Sequence, residues 1–341
     1  MSGGRRAPLT FERRVAVWDA VLAAVREQLR GQVHREVSTP VRVQAPAIEP
    51  FIEPVAAPPG FLATSPELAM KRLLCRGSGP IFQLSHVFRK AERGDRHSEE
   101  FHLLEWYRLG EALEALERDV EELVARVFAA AGEALQPPRR WRSDSFFEVF
   151  AATTGVHLRG DEDDGQLRER LPEGLREAVW DGRPGPLLSP DAGVRTLAAW
   201  TGLFGVWSDR HLDPWLMGQV DVGVHLGEFP GALAALSRRG ERGGRAIAHR
   251  FESHVGGVEL ANGYLELRDA GEQRARFVAV NNLREALGSP ALPLDEEFLG
   301  ELAAPPGLPA CTGVALGLDR LVMLACGRSR LSDVTVALGA A

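Results

Sequence analysis

Cysteine is scarce in this chain: Cys75, Cys311 and Cys326 are its only three. They stand far apart, with neither the CxxC spacing of a zinc site nor the density of a disulfide scaffold, and the simplest reading is a reducing cytoplasm. No uninterrupted apolar run approaches the length of a membrane span, and the amino terminus MSGGRRAPLTFERR lacks the apolar segment of a signal peptide, so a cytosolic protein is expected. Positive charge is not in excess either. Forty basic against 47 acidic side chains leave a net charge of −7, which argues against holding nucleic acid through bulk charge. No GxxxxGK[ST] phosphate loop occurs. What is present is 341 residues, 45% apolar and 26% charged, enough for one large enzyme domain or two ordinary ones.

From Phe11 to Leu29 apolar residues recur at helical spacing, and Gly31 ends the helix. The stretch VHREVSTPVRV is extended and broken by Pro40, and the proline-rich run to Pro59 reads as irregular loop. In TSPELAMKRLLCRGSGP, Thr64 or Ser65 serves as N-cap and Pro66 takes the first helical position; IFQLSHVFR follows as a strand. An acid-rich amphipathic helix spans Glu111 to Leu135. Between Arg139 and about Arg245 short helices and loops dominate, and GDEDDG reads as a solvated loop. Strand alternation returns after Arg245, with a hairpin signal at Gly256-Gly257 and a final GVALGLDRLVMLACG of strand then helix. Strands mixed with flanking helices, without a βαβ rhythm, predict an antiparallel α+β fold.

Several stretches carry chemistry. If IFQLSHVFR and FHLLEWY pair as antiparallel strands, period two sends Phe101, Leu103, Glu105 and Tyr107 to one face. A carboxylate among apolar neighbours needs a cation, either a bound amine or an internal arginine. Arg89 ends the first strand, where a guanidinium could grip phosphate or carboxylate. Arg96 and His97 follow in a loop that could close over a polyanion or simply be a charged surface. With Gly256-Gly257 as the turn, Val255 pairs with Val258, His254 with Glu259 and Glu252 with Ala261. Glu252 and Glu259 then lie diagonally, without a basic neighbour, and either share a magnesium ion or sit on a solvated face. Glu266 lies seven residues after Glu259, and a bulge at Asn262-Gly263 would bring it to the same face. Gly313 and Gly317 allow close backbone approach, while Asp319 and Arg320 open a helix whose positive end favours phosphate.

Taken in order, REVSTPV with Pro40, FRKAERGDRHSEEF and GVALGLDRL with Arg320 resemble the three motifs of class II aminoacyl-tRNA synthetases. TSPELAMKRLL, EEFHLLEWY and GGVELANGYLELRDAGEQ resemble lysyl-tRNA synthetase and, more closely, its shortened relatives, the elongation factor P lysine ligases. The match runs from about residue 11 to residue 335 and is poor from Arg139 to Arg245. The resemblance implies one synthetase-like catalytic domain over 1–341, with a mostly helical segment at about 139–245 and no anticodon-binding domain. It implies activation of lysine or β-lysine by ATP and magnesium and transfer to a lysine of elongation factor P. The alternatives are a synthetase paralogue charging another RNA or protein carrier, or an impaired regulatory one. A homodimer through the Phe11 to Leu29 helix and the strand after it is also implied.

Carried over by residue, the resemblance puts Arg89 on the α-phosphate and Arg320 on the γ-phosphate as the catalytic pair. Phe101 stacks on adenine, Lys90 and Ala91 flank that contact, and His97 and Ser98 close the loop. Glu252 and Glu259 hold magnesium, with Leu260 and Gly317 offering backbone near the nucleotide. Ser65, Pro66 and Glu67 receive the amino group, and Glu105, Tyr107, Asn262 and Glu266 line the amine pocket. The chain departs from the family pattern where Arg-x-Glu is expected. Ala91 stands there with Glu92 next to it, so the loop shifts by one residue or the contact is lost. Ser98 and Glu99 replace an asparagine and a proline.

Overall fold

The computed structural model describes residues 8–133, 135–180 and 184–336. Thr10 caps the first helix, α1 (Phe11–Gly31), by accepting the Arg13 amide, and the buried stripe Val17, Trp18, Val21, Val25 and Leu29 follows the spacing seen in the sequence. Next come β1 (Arg35–Glu36), β2 (Arg42–Val43), β3 (Ala56–Ala57) and β4 (Gly60–Leu62). The last three form a small sheet: β2 ends the segment expected to be extended, β4 follows Pro59, and β3 lies inside the run expected to be irregular. Gly60 permits it, because a Cβ there would meet the Val43 carbonyl oxygen at 2.2 Å. Then follow α2 (Glu67–Cys75), β5 (Ile81–Phe88), β6 (Glu100–Leu109) and α3 (Leu113–Ala131). Pro66 stands one position before α2, and Ser65 Oγ accepts the Glu67 amide at 3.0 Å.

The middle of the chain differs most from expectation. It holds β7 (Arg140–Ser145), α4 (Phe146–Thr154), α5 (Asp164–Arg170), α6 (Glu173–Trp180), α7 (Pro184–Leu187), α8 (Ala192–Trp207), α9 (Asp213–Met217), β8 (Val222–Pro230) and β9 (Arg239–Arg242). The helices pack round an aromatic core that includes Phe146, Phe150, Trp200, Trp207 and Phe229, yet β7 and β8 extend the main sheet. Those strands escaped the sequence reading because β7 is a charged, largely exposed edge and β8 carries glycine and proline. The acidic run is no plain solvated loop either. Glu162 is fully buried and accepts the amides of Arg159 and Gly160 at 2.7 and 2.8 Å, while Asp163 caps α5.

The chain then returns through β10 (Arg245–Val255), β11 (Val258–Leu265), α10 (Ala270–Ala286), α11 (Glu296–Ala303), β12 (Cys311–Gly317) and α12 (Leu318–Ala325). The nine-stranded sheet runs β1-β5-β6-β12-β11-β10-β8-β7, with β9 on β10. It is antiparallel except for the parallel pairs β1–β5 and β7–β8 at its two ends, an α+β architecture as expected. One face is covered by α1, α3 and α12 over Leu104, Trp106, Val314 and Leu316. Its other face carries the site described below. Among the described residues no helix is long and apolar enough to cross a membrane.

The central segment is anchored where Ala246 donates to the Arg159 carbonyl at 2.7 Å. Beside it Gly160 has φ +88°, and a Cβ would lie 2.1 Å from the Ala246 oxygen and 2.8 Å from the Phe147 ring. Gly160→Ala is expected to cost ~1–3 kcal/mol through strain and overpacking, read as a lower urea midpoint at unchanged slope. An unchanged midpoint would show that this junction is not an anchor.

Candidate active site

The register of five strands decides which side chains share a face. Tyr107 faces Gly313, Glu105 faces Ala315 and Leu103 faces Gly317 across β6 and β12, as the alternation of β6 required. On β10 and β11 the turn glycines have φ +59° and +75°, and Val255 pairs with Val258 and His254 with Glu259, as the hairpin signal implied. Glu252, however, opposes Asn262 and not Ala261, because the register shifts between Ser253 and His254. The extra residue is Leu260, so the bulge lies there and not at Asn262-Gly263. The physical reason is packing: Leu260 and Ala261 are both buried in the helix-side core, while Gly263 is needed because a Cβ would strike the Phe251 ring at 2.4 Å. The shift of parity puts Glu259, Asn262, Tyr264 and Glu266 on the face of Glu105 and Tyr107.

A cleft of about 220 Å³ opens on this face, and both Arg89 and Arg320 line it with His97, Ser98, Phe101, Glu259, Leu260 and Gly317. Arg320 is held by carbonyls from two segments, donating to Arg96 and to Glu259 at 3.1 Å each. The Arg89 guanidinium lies 5.1 Å from the centre of the Phe101 ring, and its Nε donates to the Thr64 carbonyl at 3.4 Å. Partial burial and the nearby Arg320 charge hold the His97 pKa below its ordinary value. Asp319 accepts the His102 amide at 2.6 Å, fastening α12 to the start of β6.

Lys90 and Ala91 do not line this cleft. Lys90 is exposed, with its amide on the Glu53 carbonyl, and Ala91 sits at φ +64° with its amide on Glu99 Oε1 at 2.8 Å. That left-handed turn brings the next side chain inward: Glu92 lines the cleft, 3.5 Å from Arg89. The displacement by one residue noted in the sequence is therefore built into the loop.

Beside the arginines lies a group of carboxylates. Glu105 accepts from Tyr107 at 2.6 Å and from Ser65 at 2.8 Å. The ammonium of Lys71 bridges Glu67 at 2.5 Å and Glu266 at 2.6 Å, its side chain 1% exposed. Ser65, Glu67, Asn262, Tyr264 and Ala315 face the cleft, while Glu105, Tyr107 and Glu266 lie behind them and Pro66 only leads into α2. Burial pushes Glu105 up to about 8, with Glu67 adding to it, and burial pushes Glu266 up to about 7 against the pull of Lys71. Tyr107 is raised by burial and by Glu105. For Lys71, burial works against the charge, but Glu266 and Glu67 outweigh it and its pKa is raised.

Three site residues escaped the sequence reading: Glu49, Lys71 and Tyr264. Two had a signal. The chain has only two lysines, Lys71 and Lys90, and only two tyrosines, Tyr107 and Tyr264, so a lysine and both tyrosines at one place set it apart. Among so many arginines, the compact ammonium is the cation that fits between two carboxylates.

The donors available to a divalent ion are Glu252 and Glu259. Glu252 does have a basic neighbour, contrary to expectation: Arg250 donates to its Oε1 at 2.6 Å. Even so, burial, then opposed by Arg250 and reinforced by Glu259, pushes Glu252 up to about 8. Glu259 is exposed at the mouth of the cleft. No group of three or more His, Cys, Asp or Glu among the described residues forms a metal cage. Glu259 lines the cleft and Glu252 does not, but a magnesium ion keeps water and phosphate in most of its positions, and an ionised Glu252 beside Glu259 would suffice for the rest.

Comparison with known proteins gives consistent results. Residues 10–336 match the family described as tRNA synthetases class II (D, K and N). The chain is 37% identical over 311 residues to an elongation factor P-(R)-beta-lysine ligase of Proteus mirabilis, covering 88% of this chain and 86% of that one. Proteins of the same name from Pectobacterium carotovorum and Salmonella dublin are 36% and 35% identical, each covering 92% of this chain and 91% of their own.

Two outcomes follow from the geometry. Glu105, Glu252 and Glu266 have folded pKa values above the ordinary carboxyl value, so their contribution is fully present below that value and is lost as pH rises through about 7 to 8. The thermal midpoint of the ligand-free protein is expected to fall as pH rises from the ordinary carboxyl value of 4.5 to about 8 and then to level off, and Glu105→Gln to flatten the fall; an equally steep profile would reject the assignment. In Gly313→Ala the new Cβ would sit 2.4 Å from the Tyr107 ring and 2.5 Å from Glu266 Oε1. It is expected to cost ~1–3 kcal/mol in denaturant titration.

Proposed function

We propose that this chain, which belongs to the family of class II tRNA synthetases (D, K and N), activates lysine or β-lysine with ATP and transfers it to a lysine side chain of elongation factor P. It is an AMP-forming ligase. The observation that carries the reading is the convergence of Arg89 and Arg320, from segments more than two hundred residues apart, on one cleft beside the carboxylates Glu67, Glu105 and Glu266.

In the first step a carboxylate oxygen of the amino acid attacks the α-phosphorus, and pyrophosphate leaves with the electrons of the broken P–O bond. Arg89 neutralises charge on the α-phosphate, and Arg320, braced by the Arg96 and Glu259 carbonyls, does so at the far phosphate. Phe101 stacks on adenine, Glu92 reaches the adenine amino group in place of Ala91, and the backbone of Leu260 and Gly317 passes beside the nucleotide, with His97 and Ser98 closing the loop. Glu252 and Glu259 would hold magnesium, which when bound supplies positive charge to the phosphate oxygens. Ser65, Glu67 and Asn262 take the substrate's amino group; behind them stand Glu105 and Glu266, buried carboxyl groups that a bound ammonium would draw into their ionised form, with the Tyr107 hydroxyl donating to Glu105. In the second step the acceptor amine attacks the mixed anhydride, the C–O bond to phosphate breaks, AMP leaves, and the nitrogen gives up a proton.

The charges support a substrate with two ammonium groups. Glu67, Glu105 and Glu266 against Lys71 leave two negative charges when all are ionised. Glu92 inside the cleft favours a working nucleotide site over an impaired paralogue. The helical segment at about 139–245 is read as an insertion in one catalytic domain, and the reaction as cytoplasmic. The homodimer is proposed through α1, whose Phe11 and Val15 are 55% and 47% exposed.

Exchange of labelled pyrophosphate into ATP tests the reading directly. Exchange is expected with lysine or a β-lysine enantiomer and not without amino acid, and Arg89→Ala or Arg320→Ala is expected to lower it ~100- to 1,000-fold. No exchange with any amino acid would reject the ligase. Sedimentation as a monomer at micromolar concentration would reject the dimer.

A further inference from the structure

Behind the cleft lies a second, larger cavity of about 620 Å³, walled by the 48–52 strap, α8, the turn at 232–236 and α10. Its volume is in the range of ~300–1,000 Å³ that suits a specific ligand. Most of its wall is apolar, from Ile48 and Leu197 to Phe204, Phe277 and Val280. Three guanidiniums also line the cavity, each held by an oxygen of the protein: Arg239 on the Gly231 carbonyl, Arg250 on Glu252 and Arg276 on Glu272. Gln273 interrupts the apolar wall without a partner. This side chain is 1% exposed, faces the cavity, and has no hydrogen-bond partner on either Nε2 or Oε1. A buried carboxamide with both ends open is costly unless something supplies an acceptor and a donor together. A peptide group does so.

The second feature is Glu49. It lines both cavities, together with Ile52, Asn262 and Tyr264. Burial raises its pKa, and the charges acting on it are those of Arg89, Glu67, Arg250 and Glu92, which places it between the phosphate-binding and amine-binding ends of the cleft. No ion pair or hydrogen bond engages its carboxylate among the described contacts. An apolar passage with an open carboxamide on its side and an unpaired carboxylate at its inner end matches a lysine residue in a peptide: amide, methylene stem, ammonium.

We propose that the second cavity seats the acceptor, with one peptide unit of the acceptor protein against Gln273, the lysine stem along the apolar wall, and its amine delivered past Glu49 to the adenylate. This rests on the ligase reading above and deepens it, since it separates the acceptor's route from the subsites for amino acid and nucleotide. A site used only in the second step can be damaged without harming the first.

The test uses the full chain and elongation factor P. Thr196→Trp on α8 fills the cavity, and Gln273→Leu removes the carboxamide at similar size; neither residue lines the nucleotide cleft. Both variants are expected to keep amino-acid-dependent pyrophosphate exchange within about twofold. Each is expected to raise the KM for elongation factor P by about tenfold and to weaken by as much the binding of fluorescently labelled elongation factor P, measured by anisotropy. Unchanged KM and unchanged binding would overturn the proposal. So would loss of exchange in step with transfer by soluble, folded variants, because the cavity would then belong to the amino acid site. If the unmodified enzyme shows no exchange, the ligase reading fails; the anisotropy titration still judges the cavity, and absent or variant-insensitive binding rejects it.

Discussion

The ammonium of Lys71 is the interaction on which the site depends. Its side chain is nearly inaccessible, and it touches carboxylates from two parts of the chain, Glu67 on α2 and Glu266 just beyond β11. Removing one partner from such a buried pair costs ~3–5 kcal/mol, because the other charge is left without compensation. Here the consequence is wider than stability. Lys71 binds α2 to the sheet, and α2 brings Ser65 and Glu67 to the cleft wall. Glu105 in turn depends on Ser65 for one of its two hydrogen bonds. The acids are held in water-poor surroundings by an internal cation that neutralises some of their charge, and the remainder is what a cationic substrate meets.

A second constraint is geometric. A sheet face is chosen by parity, and one inserted residue reverses every side chain beyond it. Leu260 is that residue. With it, Glu259 at the mouth and Glu266 at the back look into the same space; without it, Glu266 would point into the packed side under α3 and α12. Gly313 completes the arrangement, since its missing side chain is the space that Tyr107 and Glu266 occupy. The amine end is thus defined as much by one extra leucine and one absent methyl as by its acids.

The nucleotide end is assembled from three connections: the loop after β5, the β10–β11 hairpin and the start of α12. Arg320 joins all three, sitting on α12 and donating to Arg96 and Glu259. A guanidinium held by backbone carbonyls keeps its position whatever the neighbouring side chains do, which suits a group meant to meet phosphate. The turn at Ala91 works the same way, with backbone conformation deciding that Glu92 enters the cleft.

How much of this was legible in the sequence follows from the range of the forces involved. Local pattern determined α1, α2, α3, the β5–β6 pair, the glycine turn and the strand-to-helix step at Gly317, because periodicity, caps and turn glycines act within a few residues. It also determined that Arg89, Glu105, Glu259 and Arg320 are chemically unusual where they stand. Tertiary structure alone decided the rest. Edge strand β7 is charged and shows no alternation until β8 pairs with it. The bulge at Leu260 is set by competition between Gly263 and the Phe251 ring, two strands meeting side by side. Lys71 and Glu266 are far apart in the chain and Glu49 stands in what reads as loop, so their shared charge environment exists only once the chain has folded. Sequence records which groups are available, while electrostatic partnership depends on distance in space, and that is fixed by packing.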